Sequence, residues 1–183
     1  LSLGRYSTHG EFVISERGVE GGAVYALSAR IRDEIRHAGK AVIYIDLRPH
    51  IGHEELSKKL SRARGRQSFS TYIQKAGFSS LHIALLREAE KDVTDFSVGE
   101  LAALIKSVPI TLTSPFPIER AISSAGGIKL SGIDKNMMLT KIPSVFVAGE
   151  MLDWEAPTGG YLLQACFATG VAAAKGILSY KNS

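Results

Sequence analysis

The sequence predicts an α/β chain: a mixed β-then-helical unit followed by a β-β-α unit. Three stretches carry that expectation. Residues 41–47 (Ala-Val-Ile-Tyr-Ile-Asp-Leu) form a β-branched, aromatic run stopped by Pro49. Residues 51–106 hold several short segments with helical apolar spacing. Residues 144–148 form a buried-type strand run, and a small-residue-rich helical stretch follows over 158–179. The 45% hydrophobic content of the 183 residues supplies apolar material for a globular core.

Taken in order, residues 11–15 (Glu-Phe-Val-Ile-Ser) read as a short strand, and Gly18, Gly21 and Gly22 as a turn. A helix begins at Ala23, with Val24, Leu27, Ile31 and Ile35 on one face and Gly39 just past its end. After the 41–47 strand, helices are expected over 53–63, from about Ser70, and from Ser79 or Ser80 through Leu86. Ser97-Val-Gly-Glu100 matches a capping box, in which the Ser hydroxyl and the Glu carboxylate satisfy the orphan amides of a helix start. Residues 110–113 read as extended, and Pro115 and Pro117 forbid a helix across the join. Two further strands are expected at 137–140 and 144–148. A division of the chain is expected near 107–116.

Charge and cysteine usage narrow the functional classes. The net charge of +4 is mild, compatible with a phosphate-bearing ligand or with a slightly basic surface that has no partner. With one cysteine, Cys166, neither an intrachain disulfide nor a Cys-based zinc site is available, which agrees with a reducing cytoplasm. The five histidines show no spacing with carboxylates that builds a metal site, so no metal is expected. The first residues lack a signal-peptide layout. The apolar stretch 159–174 falls short of the roughly 20 residues of a membrane span, so no membrane attachment is expected. The chain opens on Leu1 rather than Met, from which we expect a portion of a longer protein.

The stretch that carries chemistry is 144–161: a strand, then Gly149 and Glu150, a loop with Asp153, and a helix opened by Thr158, Gly159, Gly160 and Tyr161. In open α/β sheets ligands sit outside the carboxyl ends of strands, where a carboxylate can accept hydrogen bonds from sugar hydroxyls. The first helical amides lack intrahelical partners and sit at the positive end of the macrodipole. Glycines there let a flat or anionic ligand approach without Cβ interference. By these residues alone, an ordinary strand–loop–helix with a glycine-rich connection remains an equal reading, with Glu150 a surface acid and Asp153 a loop cap.

The segment resembles the C-terminal signature of the predicted NAD(FAD)-utilizing dehydrogenases, the BaiN-like bacterial flavoproteins. The resemblance rests on Phe146-Val-Ala-Gly149-Glu150-Met-Leu-Asp153, Thr158-Gly159-Gly160-Tyr161, Leu163-Gln164 and Thr169-Gly170. Upstream, Ser124-Ala-Gly126-Gly127-Ile128 is similar to the family's Gly-Gly-Val turn, where the chain re-enters the FAD domain. Thr8-His-Gly-Glu-Phe and Asp46-Leu-Arg-Pro49 are similar to features of its inserted domain. Two departures stand out: Leu162 where the family often has Asn, and a 136–140 stretch without the acid usual there.

The resemblance implies an insert domain over 1–108 and the C-terminal part of a Rossmann-like FAD-binding domain over 109–183. It implies FAD contacts from Gly149, Glu150, Gly159, Gly160, Tyr161, Leu162 and Thr158, with Asp153 shaping the loop and Gly126 and Gly127 turning the chain into the site. The implied activity is FAD-dependent oxidoreduction, a hydride passing between NADH or NADPH and an unknown small substrate. No catalytic side chain is singled out. The Gly-x-Gly-x-x-Gly fingerprint does not occur in this sequence. An N-terminal FAD-binding segment of the same protein is therefore the expected partner, and this chain alone is expected to be inactive.

The alternative is a non-enzymatic module that binds nucleic acid or an acidic partner through the basic stretch 58–66 (Lys58, Lys59, Arg62, Arg64, Arg66). No interleaved aromatic pattern supports base stacking there, so a solvated basic face is the expected reading. Cys166 is expected to be a small core residue. Trp154 and Tyr161 are equally suited to stacking on a ring system or to filling the loop's own core.

Overall fold

In the computed structural model, residues 1–62, 64–121, 123–156 and 159–181 are described. The chain opens on a hairpin of β1 (Ser2–Leu3) and β2 (Tyr6–Ser7), followed by a second hairpin of β3 (Val13–Ser15) and β4 (Gly18–Glu20). Then come α1 (Gly22–Ala38), β5 (Ala41–Ile45), α2 (His53–Leu60), α3 (Phe69–Lys75), α4 (Ser80–Ala89), α5 (Val98–Lys106), β6 (Val108–Leu112) and the long α6 (Tyr161–Lys181). The chain is α/β. It groups into two compact units: Leu1–Gly10 with Ile31–Thr113, and Glu11–Arg30 with Ser114–Ser183. The units are thus discontinuous in sequence.

The first unit is built on an antiparallel sheet of order β2-β1-β5-β6. β5 alternates as a half-covered strand should: Ala41, Ile43 and Ile45 are buried while Tyr44 is exposed. Its five residues pair with β6 from Ala41↔Leu112 to Ile45↔Val108. The strand expected at 110–113 therefore begins earlier and includes Pro109. A proline is tolerated there because β6 is an edge strand, where the missing amide breaks no ladder.

The helical cluster between β5 and β6 packs by its apolar faces. Leu56, Leu60, Ile73, Leu86, Ile105 and Val108 are fully buried, each contributing roughly 1.5–3 kcal/mol of transfer free energy. Local chemistry sets the helix starts. Ser68 accepts from the Thr71 amide, and Ser97 and Glu100 form the expected capping box. Ser79 forms a second box with His82, whose ring Nδ1 takes the place of the usual carboxylate.

A lysine ties the end of β5 to the end of α5. Lys106 Nζ lies 2.6 Å from Asp46 Oδ2 and donates to the carbonyls of Arg48 (2.8 Å) and Ile51 (2.7 Å). Asp46 Oδ1 accepts from the Arg48 amide at 2.8 Å. The Asp-Leu-Arg-Pro turn is thereby fixed on both sides.

In the second unit, β3 and β4 pair in register Ile14↔Val19 about a two-residue turn, so Gly18, expected in a turn, is a strand residue. Gly21 follows at φ 107°, where a side-chain Cβ would stand 2.6 Å from the Glu11 carbonyl oxygen. That close approach lets the Ala23 amide donate to the same oxygen at 3.0 Å. The apolar face expected of α1 is buried at Val24, Leu27 and Ile31.

Two expectations are corrected here. The strands at 137–140 and 144–148 are absent among the described residues; isolated bridges (Ile133↔Leu139, Met138↔Phe146) stand in their place. Met137 and Ser144 take left-handed φ of 67° and 69°, which interrupts extended backbone at both positions. The terminal helix, expected over 158–179, is observed over 161–181, and its apolar stretch is longer than the 159–174 expected. α6 spans 21 residues, has a mean hydropathy of 1.4 over its most apolar 18, and is long and apolar enough to cross a membrane by length and composition alone. Its buried positions are Ala173 and Gly176, whereas Leu163, Phe167, Val171 and Leu178 are exposed.

Candidate functional site

The 144–153 segment is anchored at two buried residues, Val147 and Leu152. The Val147 amide donates to the Met137 carbonyl at 2.9 Å, and the Leu139 amide to the Val145 carbonyl at 2.8 Å. After Ala148 the chain enters a single 3-10 turn, Gly149–Met151, with Gly149 at φ 73°. The turn lies against α6. The Gly149 amide donates to Thr169 Oγ1 at 2.9 Å, and that hydroxyl donates to the Ala165 carbonyl at 2.7 Å. A Cβ on Gly149 would stand 3.7 Å from Cys166 Sγ. These contacts fall on the second and third turns of α6 rather than on its opening turn.

Glu150 reaches in another direction. Its Oε1 accepts from the Ser124 amide at 2.8 Å, which joins this acid to the Ser-Ala-Gly-Gly-Ile turn. The two segments then run side by side. The Ile128 amide donates to the Met151 carbonyl at 2.9 Å, and the Asp153 amide to the Ile128 carbonyl at 2.8 Å, forming a parallel bridge between Ile128 and Leu152. Gly127 makes the approach possible. At φ 145° its would-be Cβ collides with the Met151 carbonyl oxygen. Gly126, at φ 92°, has nothing within 4 Å of its would-be Cβ among the described residues.

The structure therefore gathers Gly126, Gly127, Gly149, Glu150 and Asp153 into one locked double loop. Asp153 takes part through its backbone amide, while its side chain is exposed. The other expected group lies at the start of α6. Gly159 and Gly160 both have positive φ, 112° and 81°; among the described residues nothing lies within 4 Å of a Cβ placed on Gly160. Tyr161 is exposed and Leu162 half-buried. Thr158 lies outside the described residues. Two participants had not been singled out as such: Ser124, the partner of Glu150, and Thr169, the acceptor for Gly149. The second was foreshadowed, because a helical Thr that bonds its own i−4 carbonyl keeps a lone pair for an outside amide.

The features suit a flavin dinucleotide in a specific way. Among the described residues nothing stands within 4 Å of a Cβ placed on Gly126 or Gly160, room that admits a planar or phosphate-bearing ligand. The amides that open α6 carry the partial positive charge that stabilises a negative group. Among the described residues no group of three or more His, Cys, Asp or Glu is arranged to hold a metal ion.

A family model described as the HI0933-like protein Rossmann domain matches residues 21–176. The chain belongs to this family. Its Rossmann-type domain is that of FAD-binding flavoproteins, and the matched span covers both locked loops and α6 as far as Gly176. Membership accords with the α/β class and with the glycine-rich character of the site.

Proposed function

We propose that this HI0933-like chain is part of a bacterial, cytoplasmic FAD-dependent oxidoreductase, moving a hydride between NADH or NADPH and a small substrate. The observation that carries the reading is the double loop, in which Gly127 packs on the Met151 carbonyl and Glu150 holds the Ser124 amide. Beside that lock, no described residue stands within 4 Å of a Cβ placed on Gly126. FAD, when bound, supplies the hydride-carrying ring; the chain's residues bind and orient it. In this reading the backbone at Gly126, Gly127 and Gly149 borders the cofactor, and the loop 149–153 excludes water from one side. The amides after Thr158 face its electron-rich edge, with Gly159, Gly160, Tyr161 and Leu162 in contact.

The apolar face of α6 supports a second part of the reading. Phe167 is 68% exposed and Leu163 63%, on a helix of a Rossmann-type family whose helices lie on parallel sheet. An N-terminal FAD-binding segment of the same protein, carrying the Gly-x-Gly-x-x-Gly turn that this sequence lacks, would cover that face and hold the pyrophosphate. The chain by itself is then inactive.

The test is to express the chain joined to its native N-terminal segment. The protein should purify yellow, with FAD released on denaturation, and Glu150→Ala should purify with less FAD. A colourless protein that ignores added FAD sinks the reading.

A further inference from the structure

We infer that the first unit holds a separate binding pocket, distinct from the flavin site, that takes a small organic carboxylate with an apolar body. A cavity of about 330 Å³ lies at the end of β5, lined by Leu47, Arg48, Pro49, His50, Ile51, Leu56, Lys59 and Ala76. This is within the roughly 300–1,000 Å³ range of small-molecule sites.

The lining divides cleanly by chemistry. Five residues are apolar. The other three are Arg48, His50 and Lys59, and no carboxylate lines the cavity. The nearby acids are already engaged: Asp46 with Lys106 at 2.6 Å, and Glu55 with Lys59 at 3.0 Å. Lys106 also takes the carbonyls of Arg48 and Ile51, so the acceptors of this turn are occupied by a cation outside the cavity lining. A negative group entering the cavity therefore meets donors without facing unpaired carbonyl oxygens from those two residues.

Arg48 is the anchor. Its backbone is held by Asp46, its guanidinium lies 4.4 Å from the Phe78 ring centroid, and one Nη donates to the Gly77 carbonyl. A guanidinium fixed by stacking and by one hydrogen bond retains donors in a set plane, the arrangement that receives a carboxylate in bidentate fashion. Lys59, half-exposed at the rim, has three N–H donors and spends one on Glu55 (3.0 Å), which leaves donors for an entering carboxylate. The apolar walls of Leu47, Pro49, Ile51, Leu56 and Ala76 suit a short hydrocarbon or ring. A bare inorganic anion would leave those walls unused, which favours an organic acid.

The experiment is a titration of the uniformly ¹⁵N-labelled full chain with hexanoate, and separately with 1-hexanol, followed by ¹H–¹⁵N correlation spectra. Hexanoate should shift the Arg48 Nε–Hε resonance and the amides of residues 47–51 saturably. Hexanol should bind at least about tenfold more weakly, the loss expected when a charge-assisted bidentate pair is missing. Arg48→Gln should lose the preference for the acid. Should that variant fail to fold, the wild-type Arg48 side-chain resonance and Lys59→Gln, expected to weaken hexanoate two- to threefold, decide instead. Equal binding of acid and alcohol, shifts confined to other residues, or no saturable shift would overturn the inference. None of these readouts involves FAD, so the outcome is independent of the flavin reading.

Discussion

Glu150 accepts a hydrogen bond from the backbone amide of Ser124 across 26 positions of sequence. The acid that follows the 144–148 segment therefore has a structural task inside the protein before any ligand arrives. That task and cofactor binding can be separated by choice of substitution. Glu150→Gln keeps an oxygen acceptor for Ser124 and removes the charge, whereas Glu150→Ala removes both. Glu150→Ala should lower stability by about 1 kcal/mol, the usual net value of one hydrogen bond, with Glu150→Gln close to wild type. In the flavin-bound protein both should weaken FAD retention if the carboxylate itself touches the cofactor. Retention restored by Gln would limit Glu150 to holding the loop. Denaturant melts and bound-flavin absorbance on the same samples separate the two.

The neighbouring glycines make a sharper pair. Gly127 at φ 145° faces the Met151 carbonyl, whereas a Cβ on Gly126, at φ 92°, meets no described residue within 4 Å. Gly126→Ala should pay only for backbone strain, roughly 1–3 kcal/mol. Gly127→Ala must also push apart the Ile128–Leu152 bridge, and should cost more than Gly126→Ala in the same thermal melt. Equal losses would mean that the double loop opens without resistance and does not hold the site together.

What was legible in the sequence was mainly what is decided locally. The Ser97–Glu100 box lies within one helical turn, so its residue types announce it. The Ser79–His82 box follows the same geometry but hides behind an imidazole, because His at the third helical position is not the usual acceptor. The β5 strand declared itself by β-branched residues. Residues 137–140 and 144–148 carry similar apolar content, yet the left-handed φ at Met137 and Ser144 and the lack of a continuous partner leave only single bridges. In the site, the glycines and Glu150 could be picked out as special residue types. Their pairing with Ser124 and Thr169 could not, since it depends on how distant loops return.

His82 gives the first unit a pH response. Burial, and secondly the Arg48 guanidinium, hold its imidazole below the ordinary 6.5. The neutral ring is required structurally, since Nδ1 accepts from the Ser79 amide at 3.1 Å. A folded-state pKa below the unfolded one means that the unfolded chain takes up the proton first. The stabilising contribution is therefore complete above pH 6.5 and is lost as pH falls from there through the folded value. Glu100, lowered by its hydrogen bonds from the Ser97 hydroxyl and amide, acts with the same sign in a more acidic window, below 4.5. His82→Gln keeps an acceptor for Ser79 and cannot titrate. Its melting temperature should fall less than that of wild type between pH 6.5 and 5; parallel curves would remove His82 as the cause.

The glycines of α6 decide whether this helix is held by its neighbours or merely by its own propensity. Both Gly170 and Gly176 sit inside the helix, where replacement by Ala is ordinarily stabilising by roughly 0.5–1 kcal/mol. Among the described residues nothing lies within 4 Å of a would-be Cβ on Gly170, so Gly170→Ala should raise the melting temperature. Gly176 is buried, and its would-be Cβ collides with the Asn136 carbonyl, on a loop pinned by Asp134 Oδ1 accepting from the Asn136 and Met138 amides at 2.8 and 2.9 Å. With backbone rather than a yielding side chain in the way, Gly176→Ala should reverse the sign and lower it, despite identical chemistry in the same helix. Two increases of equal size would mean that the 134–138 loop swings clear of α6, and the contact would then contribute nothing to the second unit.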